Sequence, residues 1–137
     1  MLGLRVPYGG YGGVEYGLGM SDAETLFERI IAGEIPADRV FEDETTVAFR
    51  DINPQARVHV LVVPRKRYRN VAELAAADPQ LLSDVMKAAA KVAEIEGIAE
   101  SGYRVVFNTE RDAGQTVFHV HAHVLGGEQL GLFGRLG

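Results

Sequence analysis

Residues 119–125 read His-Val-His-Ala-His-Val-Leu, a strict two-residue alternation of imidazole and aliphatic side chains. An extended strand separates the two sets, because successive side chains of a strand point to opposite sides. The pattern predicts a strand over 117–125 that ends at Gly126-Gly127. Phe118, Val120, Ala122 and Val124 then make a core face. His119, His121 and His123 stand in a row on the other, about 6.7 Å apart. Folding alone does not ask for three histidines here, since Thr, Ser or Val would fill the same face.

A strand of this kind needs a sheet, and the rest of the chain supplies one. Ser21 and Glu24 form an S-x-x-E capping box that predicts a helix reaching about Ala32, with Leu26, Phe27, Ile30 and Ile31 on its apolar face. Gly33 and Pro36 stop it. Arg39–Glu42 and Thr46–Arg50 read as short strands flanking the turn-like Asp43-Glu44. A third runs over Val58–Val63 and breaks at Pro64. The basic run Arg65-Lys66-Arg67-Tyr68-Arg69 reads as a solvated loop. Asn70 caps a short helix over Val71–Ala77. Pro79 opens a longer one, to about Glu96 before Gly97, with Leu81, Leu82, Val85, Met86, Ala89, Val92 and Ala93 at helical spacing. Tyr103–Phe107 is the next strand. The order predicts α+β with an antiparallel five-stranded sheet.

Composition bounds the chemistry. The 137 residues carry a net charge of -5, which suits one domain and argues against non-specific nucleic-acid binding. With no cysteine, a disulfide framework, a thiolate zinc site and a cysteine nucleophile are all excluded. No apolar run approaches the ~18 residues of a membrane span. A cytoplasmic protein is expected. Residues 1–20, rich in glycine and tyrosine, read as a flexible tail before a single domain over 21–137, and Met20 is an alternative start.

Two chemistries suit the histidine face. A metal is one, but three alternate strand positions span about 13 Å, too far for all three rings to reach one zinc at ~2.0–2.1 Å. Two of them with His59 could do so, although no fourth polar ligand is evident. The other is nucleophilic catalysis. A neutral imidazole attacks phosphorus or a carbonyl when an acceptor holds one ring nitrogen and the lone pair of the other faces the substrate. Donors around the transferred group complete such a site, and the Gly114-Gln115-Thr116 corner lies just before the strand.

The run 119–125 matches every position of the His-x-His-x-His-x-x signature, x apolar, of the histidine-triad superfamily. Thr25-Leu26-Phe27-Glu28-Arg29-Ile30-Ile31, Glu34-Ile35-Pro36-Ala37 and Ala48-Phe49-Arg50-Asp51-Ile52 resemble its Hint-like nucleotide-binding branch. So do Pro54-Gln55-Ala56, His59-Val60-Leu61-Val62-Val63-Pro64 and Gly126-Gly127. The resemblance spans roughly residues 21–128. It implies a homodimer whose sheet extends across both protomers, meeting through the helix around Leu82–Ala93 and the Tyr103–Phe107 edge. It also implies hydrolysis of the P–N bond of purine nucleoside phosphoramidates through a nucleotidyl-histidine, without metal or cofactor, nucleic acid or membrane. Hydrolysis of dinucleoside polyphosphates and nucleotide binding without turnover are the alternatives.

The roles carried over are specific. His121 would be the nucleophile, His119 would hold its proton-bearing nitrogen through a backbone carbonyl, and His123 would bind a phosphate oxygen. His59 would support the same pocket. Asp51 would accept from the ribose hydroxyls, although it equally suits capping the turn before Pro54. Asn108 would contact the ribose and phosphate, and Gln115 and Thr116 the phosphate and leaving-group side. Leu26, Phe27, Ile30, Phe49 and Ile52 would form the slot for the base. Thr116 stands where the branch often has Ser, and the segment 128–137 lacks the Trp and Pro of many animal members.

Overall fold

Thr25 is extended (φ -81°, ψ 164°) and caps helix α1, Leu26–Ile31: its hydroxyl accepts from Glu28 N–H while its own N–H donates to the Glu28 carboxylate. The capping box is therefore Thr25-x-x-Glu28. The computed structural model describes residues 25–133, so Ser21, Glu24 and the tail over 1–20 lie outside them. What the described residues exclude is a helix continuing unbroken through Thr25.

The elements follow as β1 (Arg39–Glu42), β2 (Thr46–Arg50), β3 (Val58–Pro64), α2 (Val71–Ala77), α3 (Pro79–Ile95), β4 (Tyr103–Val106) and β5 (Ala122–Gly126). Asp43 closes the β1–β2 hairpin by accepting from the backbone N–H groups of Thr45 and Thr46 and from the Thr46 hydroxyl. Asn70 and Asp78 cap α2 and α3, and Pro79 occupies the first turn of α3, where its missing N–H costs nothing. All five strands pair antiparallel in the order β1-β2-β3-β5-β4.

Two apolar clusters sandwich the sheet. On one face Ala48, Val60, Val62, Ala122 and Val124 pack under the α3 stripe of Leu81, Val85, Ala88, Ala89, Val92 and Ala93, with Leu74 of α2 beside them. On the other, Val47, Phe49, Leu61 and Val63 pack against Phe27 and Ile30 of α1. The register places Leu61 opposite His123 and His59 opposite Leu125, so these histidines share the α1 face.

The last strand is shorter than its alternation predicts. Pairing begins only at Ala122, because Val120 N–H leaves the ladder and donates to the Tyr68 carbonyl at 2.7 Å. Facing nevertheless persists through the unpaired residues, as Val120 joins the α3-side cluster with Ala122 and Val124. Phe118 does not: its ring stacks under the Arg69 guanidinium, 4.2 Å from the ring centroid. The two faces are separable by mutation. Leu74→Ala is expected to cost about 2–5 kcal/mol in urea unfolding and to leave the histidine NMR signals in place. Phe49→Ala should cost about 3–5 kcal/mol and shift those signals, because it undercuts Phe27.

Candidate functional site

Four imidazoles meet on the α1 face. The His121–His123 and His59–His123 centroids lie 5.0 and 5.1 Å apart, and Phe27 meets His121 edge-on at 4.9 Å. Their hydrogen bonds fix every tautomer. His121 Nδ1 stands 2.8 Å from the carbonyl oxygen of His119; a carbonyl only accepts, so Nδ1 carries the proton and Nε2 keeps its lone pair. Gln55 N–H donates to His59 Nδ1 at 2.9 Å, which puts the His59 proton on Nε2. From there it donates to His123 Nδ1, also at 2.9 Å. His123 must then carry its own proton on Nε2. The site thus presents one nucleophilic lone pair, on His121, beside one N–H donor, on His123.

His119 is wholly buried and sets the position of the carbonyl that orients His121. Its Nε2–H donates to the Pro64 carbonyl at 2.7 Å, and its Nδ1 accepts from the Thr25 hydroxyl at 3.3 Å. The cap of α1 therefore also anchors the histidine row. Thr25 was not among the residues that sequence reasoning selected, and the T-x-x-E signal it carries speaks only of a helix start.

Burial sets the charge state. It pushes the imidazoles of His119 and His121 down to about 4, against the pull of the Pro64 and His119 carbonyls respectively. It holds His123 well below the ordinary imidazole value, and its neighbours His121 and His59 act in the same direction. His59 is lowered by burial against the opposing pull of Asp51, whose own carboxyl burial raises despite the Asn53 N–H and His59 beside it.

The structure brings most of the sequence-predicted residues to this face. Asp51 lies with Oδ2 3.5 Å from His59 Nε2, while its Oδ1 accepts from Asn53 N–H at 2.8 Å. It thus caps the turn and reaches the histidine cluster at once. Phe27, Ile30 and Phe49 are core residues, exposed by 1% or less. Leu26 is half-buried and Ile52 is 59% exposed. Asn108 follows β4 and is half-buried, as is Thr116. Gln115 is different. Its amide is engaged with Glu110 N–H and the carbonyls of Arg69 and Val117, so it braces the loop before the histidines.

Among the described residues, Asp51, His59 and His123 are the group whose ligand atoms come within 4.8 Å of one another. A cation there would have to displace the proton that His59 and His123 share, and the Gln55 N–H already occupies the other nitrogen of His59. The hydrogen-bond chain fits four neutral imidazoles better than a metal.

A profile of the HIT domain matches residues 32–130. The chain belongs to the HIT domain family. It is 49% identical over 108 residues to the purine nucleoside phosphoramidase of Escherichia coli, covering 79% of this chain and 91% of that protein. Among solved structures it is similar to a HIT family hydrolase from Clostridium thermocellum, with a TM-score of 0.77 and 48% identity over 80% of this chain and 96% of that one. A HIT family hydrolase from Legionella pneumophila gives a TM-score of 0.74 and 46% identity over 77% and 95%.

The depressed imidazoles make a signed prediction. As pH falls from about 6.5, the ordinary imidazole value, toward 4, the unfolded chain takes up a proton that folded His121 refuses. Wild type should therefore lose stability relative to His121→Asn across that window, with no pH dependence of the difference above it. Denaturant unfolding of both proteins as a function of pH measures this. Imidazole nitrogen NMR should show Nδ1–H for His121 and Nε2–H for His59 and His123.

Proposed function

We propose that this protein is a homodimeric, metal-independent purine nucleoside phosphoramidase of the cytoplasm. One observation carries the chemistry: the His119 carbonyl holds the His121 proton on Nδ1, leaving the Nε2 lone pair beside the His123 Nε2–H. That is the arrangement for in-line attack on a phosphorus whose oxygen is held by the neighbouring donor. The 49% identity to a purine nucleoside phosphoramidase supports the substrate class.

In the first step His121 Nε2 bonds to the α-phosphorus and the P–N bond breaks. The amine departs with a proton delivered through Thr116 and the imidazole cluster. Positive charge that develops on His121 is stabilised at Nδ1–H by the His119 carbonyl, while His123 donates to a phosphate oxygen. In the second step water breaks the new P–N bond and releases the nucleotide. Asp51 accepts from the ribose hydroxyls, and Leu26 and Ile52 cover the base above the Phe27, Ile30 and Phe49 floor. His59 keeps His123 in its donating tautomer, Asn108 contacts the ribose and phosphate, and Gln115 shapes the corner that carries Thr116. The outer edge of β4, with exposed Tyr103, and exposed Met86 of α3 support pairing with a second copy.

The test is release of AMP from adenosine 5′-phosphoramidate in EDTA. Turnover is expected in wild type, and His121→Ala should reduce it by at least about 10⁴-fold. Absence of turnover, or substantial activity in His121→Ala, would contradict the reading. A preference for diadenosine polyphosphates over the phosphoramidate would move the substrate class.

A further inference from the structure

The loop between β4 and the histidine row contains a residue in an unusual backbone conformation. Glu110 has φ 68° and ψ -175°, a region populated almost only by glycine because a side chain there crowds its own backbone. Glu110 is the only residue other than glycine with positive φ among the described residues. Such a conformation persists only where surrounding contacts over-determine it.

Those contacts converge on the Glu110 side chain. Its two carboxylate oxygens accept from Arg69 Nε and Nη2 at 2.6 and 2.9 Å, and Oε2 also accepts from Asn70 Nδ2 at 2.9 Å. The fork is bidentate, the strongest geometry available to such a pair, and it holds the carboxyl below its usual range. Arg69 is itself braced, its guanidinium stacked on Phe118, the residue before His119. Glu110 N–H donates to Gln115 Oε1 at 2.7 Å, Gln115 N–H returns to the Glu110 carbonyl at 3.1 Å, and Gln115 Nε2 reaches the Arg69 carbonyl at 2.7 Å. The loop that delivers Thr116 is thus tied to the segment after β3 by the Glu110 carboxylate, which reaches Asn70 across 40 residues of sequence, and by the Gln115 amide on the Arg69 carbonyl.

We propose that Glu110 is a positioning residue for leaving-group departure: the Arg69–Glu110–Asn70 clamp holds the strained turn that aims the Gln115-Thr116 corner at the departing amine. The inference rests on the phosphoramidase reading for the identity of that amine. The clamp itself rests on geometry alone. No positive φ falls on Arg69 or Asn70, so the strain resides in Glu110 and its partners Arg69, Asn70 and Gln115 restrain it.

Glycine separates strain from charge. Glu110→Ala keeps the steric demand and removes the clamp. It should lower kcat on adenosine 5′-phosphoramidate about ten-fold, within the range that release of such a conformation makes available. Its inhibition constant for AMP, which has no leaving amine, should stay within about three-fold of wild type. Glu110→Gly should recover most of the lost kcat, since glycine adopts the conformation unaided. Arg69→Ala should match Glu110→Ala, and the double variant should be no worse than either. Amide hydrogen exchange over 108–117 should accelerate in Glu110→Ala and return toward wild type in Glu110→Gly. Unchanged kcat and exchange in Glu110→Ala, a glycine variant as impaired as the alanine one, or additive losses in the double variant would each overturn the proposal. Failure of wild type to turn over the phosphoramidate would remove the functional reading instead, and the exchange comparison would still judge the clamp.

Discussion

A backbone carbonyl has no proton to give, and that of His119, 2.8 Å from His121 Nδ1, decides which nitrogen of His121 faces outward. The site depends on this one contact being held still. Its rigidity comes from His119, buried and pinned at both ring nitrogens by the Pro64 carbonyl and the Thr25 hydroxyl. The same logic passes along the other histidines: the Gln55 N–H sets His59, and His59 sets His123. Every ring is buried enough to favour the neutral form, and a neutral ring donates from one nitrogen and accepts at the other. Burial therefore keeps the rings neutral against the pull of the carbonyls on His119 and His121, and the hydrogen bonds choose which nitrogen of each ring carries the proton.

The sheet makes that pattern possible by dividing its faces. The α3 side is aliphatic and carries much of the core. The α1 side is shared between a smaller apolar cluster and the histidines, and Phe27 belongs to both, packing edge-on against Phe49 and against His121. Among the described residues no buried side-chain nitrogen or oxygen is left without a partner. A polar cluster on a sheet face is tolerable only when satisfied in this way.

Much of this was legible in the sequence because the signals were local. The alternation of residues 119–125 assigned Val120, Ala122 and Val124 to one face correctly, since it follows from backbone geometry. It could not show that pairing starts at Ala122, which depends on Val120 N–H finding Tyr68 fifty-two residues earlier. Asn70, Pro79 and Gly97 marked helix boundaries well for the same local reason. Thr25-x-x-Glu28 carries the same capping signal as Ser21-x-x-Glu24, and it caps α1, where the Thr25 hydroxyl also meets His119. The basic run 65–69 reads as solvated cations, yet Arg67 and Arg69 pair with Glu28 and Glu110, each far away in sequence. Glu110 gave no signal at all, because glutamate carries no preference for positive φ.

The central claim is that His121 Nε2 forms the covalent bond to phosphorus. It is tested most directly by quenching the enzyme during turnover of adenosine 5′-phosphoramidate and mapping the nucleotidylated peptide. The account predicts a single adduct on His121, linked through Nε2. An adduct on His119, His123 or His59, or a linkage through Nδ1, would contradict it.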